Sequence, residues 1–230
     1  MKPIRISEHC AKLKNHYPEP NLSKEILLKM NKTEMKWFVR LWLSEGIPKA
    51  FISMPVLYEF IRDKIAEKVK VDPKEVTIVG SARIGYSLAP KSYGREFGKH
   101  SDLDLAIISE ELFNKLKEEY ETWKKDYESG EIEPPREKDR RHWEINLNKD
   151  IPRQIRWGFI DSKFMYAYYE NTRRLYEIIE YLKLRLKGTG FESQLKGTYI
   201  RVYKNWESFV NHKVYTLKCF RDELRELGKY

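Results

Sequence analysis

Cysteine is nearly absent from the chain, with Cys10 and Cys219 the only two in 230 residues. They lie far apart, without a C-x-x-C pattern and without the Cys/His spacing that holds zinc. This argues against a disulfide scaffold or a zinc module, and a reducing compartment fits. Long apolar runs are missing too. No stretch approaches the roughly eighteen consecutive apolar residues of a membrane helix, and the opening MKPIRISEHCAKLKNH has no hydrophobic signal core. The expectation is a cytoplasmic protein with no membrane partner. An internal repeat and low-complexity segments are also lacking. An apolar fraction of 41% over 230 residues is adequate for one large domain or two small ones with a real core.

Positive charge, by contrast, is in excess. Lys and Arg number 44 against 35 Asp and Glu, a net charge of +9, which favours polyanionic partners such as nucleic acid or nucleotide. From Lys183 to Lys213 seven Lys or Arg stand against only Glu192 and Glu207. The C-terminal part carries more than its share.

Along the chain, residues 1–70 read as a helical segment. Ser23 is placed to cap KEILLKM and Thr33 to cap EMKWFVRLWLSE, which Gly46 and Pro48 close; Pro55 suits the first turn of VLYEFIRDKIAEKVK. Residues 71–165 carry the strand signals. Val76 to Val79 is a short β-branched run ended by glycine, DLDLAIIS is a second, and HWEINLN and RQIRWGFID alternate in the manner of two more. Between them, Glu110 to Glu128 reads as a charged helix and Ser129 to Arg141 as a polar, proline-bearing loop. Residues 166–230 form a C-terminal helical segment. A long helix is expected from Ser162 to Leu186, then a late strand in TYIRVYKNW, then a last helix in ESFVNHKVYTLKCFRDELREL. The fold class is α/β (α+β), a small mixed sheet flanked by N-terminal and C-terminal helices, with the three segments forming one compact unit.

The chemistry concentrates in VGSARIGYSLAPKSYGREFGKHSDLDLAIIS, Val79 to Ser109. Strand side chains alternate, so Asp102 and Asp104 project to one face while Leu103 and Leu105 point to the other. Two carboxylates that close repel, and a divalent cation relieves the repulsion; paired aspartate oxygens with room for water and phosphate suit magnesium. Gly80 permits a tight turn after the first strand, Ser81 opens a turn whose N–H groups and hydroxyl can meet phosphate oxygens, and Gly85 keeps the next turn thin. A phosphate cradle beside a metal-binding carboxylate pair is what nucleotidyl transfer requires.

G-S-x-x-x-G followed by S-D-x-D-L, here Gly80, Ser81, Gly85, Ser101, Asp102, Asp104 and Leu105, resembles the signature of the DNA polymerase beta-type nucleotidyltransferase superfamily. The fuller wording, GIPKAF leading to VGSARIGYSLAP and a late RVYKNWESF, looks like a group of uncharacterised bacterial nucleotidyltransferase-like proteins. The resemblance implies an enzyme that moves a nucleoside monophosphate from a nucleoside triphosphate such as ATP to an acceptor hydroxyl, with pyrophosphate released. It places Gly80 and Ser81 on the phosphates and Asp102 and Asp104 on two magnesium ions. It also implies a third carboxylate from a later strand, for which Asp161 is the first choice and Glu144 the second. The 21 positions from Ser81 to Asp102 exceed the compact members' spacing, and APKSYGREFGKH suits a flap over the site.

Arg83, Lys91, Arg95 and Lys99 are candidates to steer the triphosphate, with Arg83 preferred as a nucleotide-binding residue. Tyr166, Tyr168, Tyr169, Tyr176 and Tyr181 are spaced as a helical core stripe, the alternative being a stacking surface for a base. The acceptor is not identified, although the basic charge favours RNA. Two further readings stand beside the enzyme. One is a catalytically inactive nucleotide or RNA sensor that has lost the third carboxylate, and the other is a basic RNA-binding module indifferent to Asp102 and Asp104.

Overall fold

A computed structural model describes residues 6–186 and 195–226. In chain order it contains α1 (Pro20–Lys29), α2 (Lys32–Trp42), α3 (Pro55–Val69), β1 (Val76–Val79) and a single turn, α4 (Ser81–Ile84). Then come β2 (Ser101–Ile108), α5 (Glu110–Glu128), α6 (Glu137–Ile145), a π-helical stretch over Asn146–Asp150, and α7 (Ile151–Arg156). β3 (Phe159–Asp161), α8 (Glu170–Arg185), β4 (Leu195–Tyr203) and α9 (Trp206–Glu226) complete the chain. This is the mixed α+β architecture that the sequence leads one to expect.

The sheet has the order β1-β2-β4-β3, antiparallel at both edges and parallel between the two central strands. Alternation gives its two faces different roles. On one face Ile78, Leu103, Leu105, Ile107, Ile160, Ile200 and Val202 are buried against α3, α5 and α8 through side chains such as Ile61, Phe113 and Ile178. On the other face Val79, Ala106, Ile108, Phe159 and Tyr203 meet α1, α2 and α9 through Ile26, Phe38, Phe209 and Leu217. That second face is apolar toward the C-terminal ends of β2 and β4. Toward their N-terminal ends it carries Asp102, Asp104, Tyr199 and Arg201, with Asp161 on the adjoining β3.

Several sequence expectations are corrected. HWEINLN is not a strand: its alternation conceals the helical spacing of Trp143, Leu147 and Ile151, all buried, while Ile145 lies exposed. RQIRWGFID is helical to Arg156, and Gly158 at φ +74° turns the chain into a strand of only three residues. The helix expected from Ser162 begins at Glu170; Ser162–Phe164 is one 3-10 turn. The loop expected to reach Arg141 ends where α6 begins at Glu137. Asn31, not Thr33, caps α2, its Oδ1 accepting from the Thr33 and Glu34 N–H groups while the Glu34 carboxylate accepts from Asn31 N. Ser23 is not a cap either, because α1 starts at Pro20 and the Ser23 hydroxyl is buried against Tyr86 Oη at 2.7 Å.

One cap is supplied from another helix. Tyr169 offers α8 no side-chain cap, and the Glu119 carboxylate of α5 takes its place, accepting from Thr172 N at 2.9 Å, Thr172 Oγ1 and Asn171 Nδ2 at 2.8 Å, and Asn171 N. A carboxylate on free N–H groups at the positive end of a helix is favourable, and leaving those donors bare is costly. Glu119→Ala should lower unfolding free energy by about 2–3 kcal/mol in urea titration, whereas Glu118→Ala on the exposed side of α5 should change it little.

Candidate active site

The site is built where β1 turns back beside β2. Gly80 has φ +69° and ψ −149°, open in practice only to glycine, and a Cβ there would lie 2.7 Å from Asp104 Oδ2. The backbone at 80 is thus both strained and overlaid by a carboxylate. Gly85 closes α4 at φ +96°, where a Cβ would meet Lys49 Cγ at 2.8 Å. Asp102 stands opposite Gly197 of β4, next to a register shift between Ser101 and Asp102. A Cβ on Gly197 would sit 3.2 Å from Asp102 Oδ1. That oxygen is buried and has no hydrogen-bond partner among the described residues.

Gly80, Ser81, Asp102 and Asp104 open together onto a cleft of about 520 Å³. One wall is the loop between α4 and β2, which contributes Ser87, Pro90, Arg95 and His100; the other is α9, with Thr216, Phe220 and Glu223. The loop expected to be a flap lines one side of the cleft and touches α1 and α9. Tyr93 donates to Pro20 O at 2.6 Å and stacks on Phe220 with centroids 5.0 Å apart, while Tyr86 reaches Ser23.

Behind the aspartates the charged face continues. Asp161 is buried, and its Oδ2 accepts from Arg201 Nη2 at 2.6 Å, with Lys163 Nζ at 3.8 Å. Asp104, Asp161, Arg201 and Lys213 border a small cavity of about 100 Å³. Burial raises the Asp104 carboxyl above its ordinary range; Lys213 and Arg201 pull it back, and Asp102 and Asp161 add to the rise. Lys213 is pushed down to about 8 by burial and by Arg201, with Asp104 and Asp161 opposing. Burial also works against the Arg201 charge, but Tyr203 and Asp161 outweigh it and hold the guanidinium above its usual range. His212 bonds Tyr203 Oη through Nδ1 at 2.9 Å and stacks on Phe159 at 4.2 Å; burial, Lys213 and Arg201 drive it down to about 3, so it is neutral at ordinary pH.

The sequence-chosen residues therefore divide. Gly80, Ser81, Asp102 and Asp104 are brought together on one cleft, and Gly85 shapes the turn behind it. Asp161 shares the face and the small cavity with Asp104, but its carboxylate is engaged by Arg201. Glu144 is exposed on α6 and borders neither cavity. Arg83 is a correction. Its side chain points away from the cleft and is 1% exposed, with Nε donating to Ile78 O, Nη1 to Glu45 O and Gly46 O, and Nη2 to Thr77 Oγ1 and Tyr58 Oη. All its donors are spent on the fold, so none remains for a phosphate. The cation that does line the cleft is Arg95, exposed, with His100 nearby. Arg201 and Lys213 were not singled out. Their only signal is the alternation of TYIRVYKNW and the position of Lys213 on α9, neither meaningful without the strand order. Of the tyrosine stripe, Tyr166 is packed among Trp123 and Trp143 and Tyr168 is exposed at 66%.

A divalent cation fits Asp102 and Asp104: one buried oxygen lacks a partner among the described residues, and the other carboxylate is held in a desolvated setting that a cation would relieve. Asp161 does not join them as a third free ligand. Among the described residues, the one trio of His, Cys, Asp or Glu with ligand atoms all within 4.8 Å of one another is His9, Cys10 and Glu34. There Glu34 already serves the α2 cap and holds His9 Nε2 at 3.2 Å. No protein-family model, curated protein or solved structure matches the chain.

Two outcomes follow from these contacts. Arg83→Met removes hydrogen bonds from three carbonyls, the buried one of Ile78 and those of Glu45 and Gly46, and should cost about 3 kcal/mol of stability in urea denaturation. His212 binds its proton in the unfolded chain near pH 6.5 but in the fold only near 3. The unfolded state thus holds more protons between those values, and stability falls as pH drops through them. Between pH 7 and 5 this single group accounts for about 2 kcal/mol. His212→Gln should flatten that part of the pH dependence in thermal melts.

Proposed function

We propose that the protein transfers a nucleoside monophosphate from a nucleoside triphosphate to an acceptor hydroxyl, releasing pyrophosphate. The observation that carries the reading is the partnerless, buried Asp102 Oδ1 beside an Asp104 carboxylate laid over Gly80. Such a pair is costly for a fold to keep unless it serves a cation. Magnesium bound there would supply charge neutralisation on the triphosphate and on the oxygens of the displacement.

The chain's own groups hold and orient. Gly80 and Ser81 line the space in which the phosphates would sit, where the Ser81 hydroxyl and backbone N–H groups are available to them, and Arg95 supplies a cation from the loop wall. The loop and α9 enclose the tail on two sides. The acceptor oxygen bonds to the α-phosphorus as the bond to the pyrophosphate oxygen breaks, and the hydroxyl proton passes to water in the cleft. Asp104→Asn should reduce pyrophosphate release by about a hundredfold or more while thermal stability is kept or raised, since a desolvated charge is removed. Turnover undiminished in that variant contradicts the assignment.

A specific contact favours a second reading, a nucleotide-binding sensor that does not transfer. Asp161, the candidate third carboxylate, is neutralised by Arg201 at 2.6 Å. Calorimetric titration with each nucleoside triphosphate and magnesium, run beside the pyrophosphate assay, separates the two. Binding without release supports the sensor.

A further inference from the structure

The cleft does not end at the aspartates. Asp104 borders both it and the small cavity, and Asp161, Arg201 and Lys213 border both the small cavity and an outer recess of about 440 Å³. Thr216 of α9 borders the cleft and the recess alike. The three spaces therefore lie in a row along the charged sheet face beside α9, and the two outer ones differ in character. Among the described residues the lining charges of the cleft are Asp102, Asp104 and Glu223 against Arg95. In the outer recess they are, again among the described residues, Arg153, Lys163, Arg201 and Lys213 against Asp161.

The recess is also aromatic. Trp157 and Tyr215 stand 38% and 50% exposed at its rim, their ring centroids 4.8 Å apart and tilted by 46°. Lys213 makes no ion pair or hydrogen bond among the described residues, although its ammonium lies in a largely desolvated setting. Half-exposed rings set among several cations, in a recess two cavities along from the aspartates, match a strand whose phosphates track the cations while its unpaired bases stack. A duplex keeps its bases stacked on one another and offers none to Trp157 or Tyr215.

We propose that the outer recess binds the end of a single-stranded nucleic acid, with a base on Trp157 and Tyr215 and phosphates on Arg153, Lys163, Arg201 and Lys213. This rests on the proposed transfer only in making that strand the acceptor. Binding itself requires neither nucleotide nor metal, so it is measured in EDTA without triphosphate, and a failed transfer assay leaves it standing.

The test is fluorescence anisotropy of the full chain with a labelled single-stranded RNA, the same sequence as single-stranded DNA, and an RNA duplex. Either single strand should bind more tightly than the duplex, and the stronger of the two identifies the natural sugar. Trp157→Ala and Tyr215→Ala, both at exposed positions, should each weaken binding about tenfold. The double variant Arg153→Gln with Lys163→Gln should lower the slope of log affinity against log salt by about 0.7 per cation removed. Far-ultraviolet circular dichroism confirms that each variant is folded. Three results would overturn the proposal: no single-strand binding at low salt, a duplex bound equally well, or both aromatic variants binding as the wild type.

Discussion

The constraint on which the rest depends is charge compensation on a sheet face largely withdrawn from water. Asp102, Asp104 and Asp161 share that face with Arg201, and Lys213 reaches it from α9. An ionised carboxylate held away from solvent is tolerated only when a counter-charge or hydrogen bonds replace its water. The compensation is uneven. Asp161 is satisfied outright by Arg201, Asp104 only in part by more distant cations, and one oxygen of Asp102 not at all. The gradient runs toward the cleft, so the unmet demand for positive charge is greatest where a ligand can enter.

The surrounding architecture makes this gradient possible. The opposite sheet face is apolar but for residues such as Thr198 near the start of β4, and it anchors β2 in register, since a shift of one residue would turn Leu103 and Leu105 outward and both aspartates into the core. The same alternation that buries the leucines therefore fixes where the carboxylates point. The register shift beside Asp102 brings Gly197 opposite it, where the missing side chain leaves Oδ1 its space.

Much of this was legible in the sequence, and the remainder was hidden for physical reasons. β1, β2, α3, α5 and α9 follow from local composition, and Gly80, Ser81, Asp102 and Asp104 follow from spacing within thirty residues. The segment from 142 to 161 misled because Trp143, Ile145 and Leu147 satisfy a two-residue period as well as Trp143, Leu147 and Ile151 satisfy a helical one. Arg83 sits in the motif, yet its burial depends on the carbonyls of Glu45 and Gly46, 38 and 37 positions away. The Asp161–Arg201 pair needed the knowledge that β3 lies beside β4, a partnership no local pattern states. Long-range pairing is where single-sequence reasoning fails, and the charged layer consists of such pairs.

Chain order carries one last consequence. One wall of the cleft that holds Asp102 and Asp104 is α9, and it is pinned to residues made much earlier, Arg221 donating to Met30 O and Arg225 to Leu28 O across 191 and 197 positions. During synthesis the aspartates emerge long before that wall does, when α1 and α2 have no partner for much of their apolar surface. Until α9 has emerged, the nascent chain carries its acidic pair but lacks one wall of the cleft.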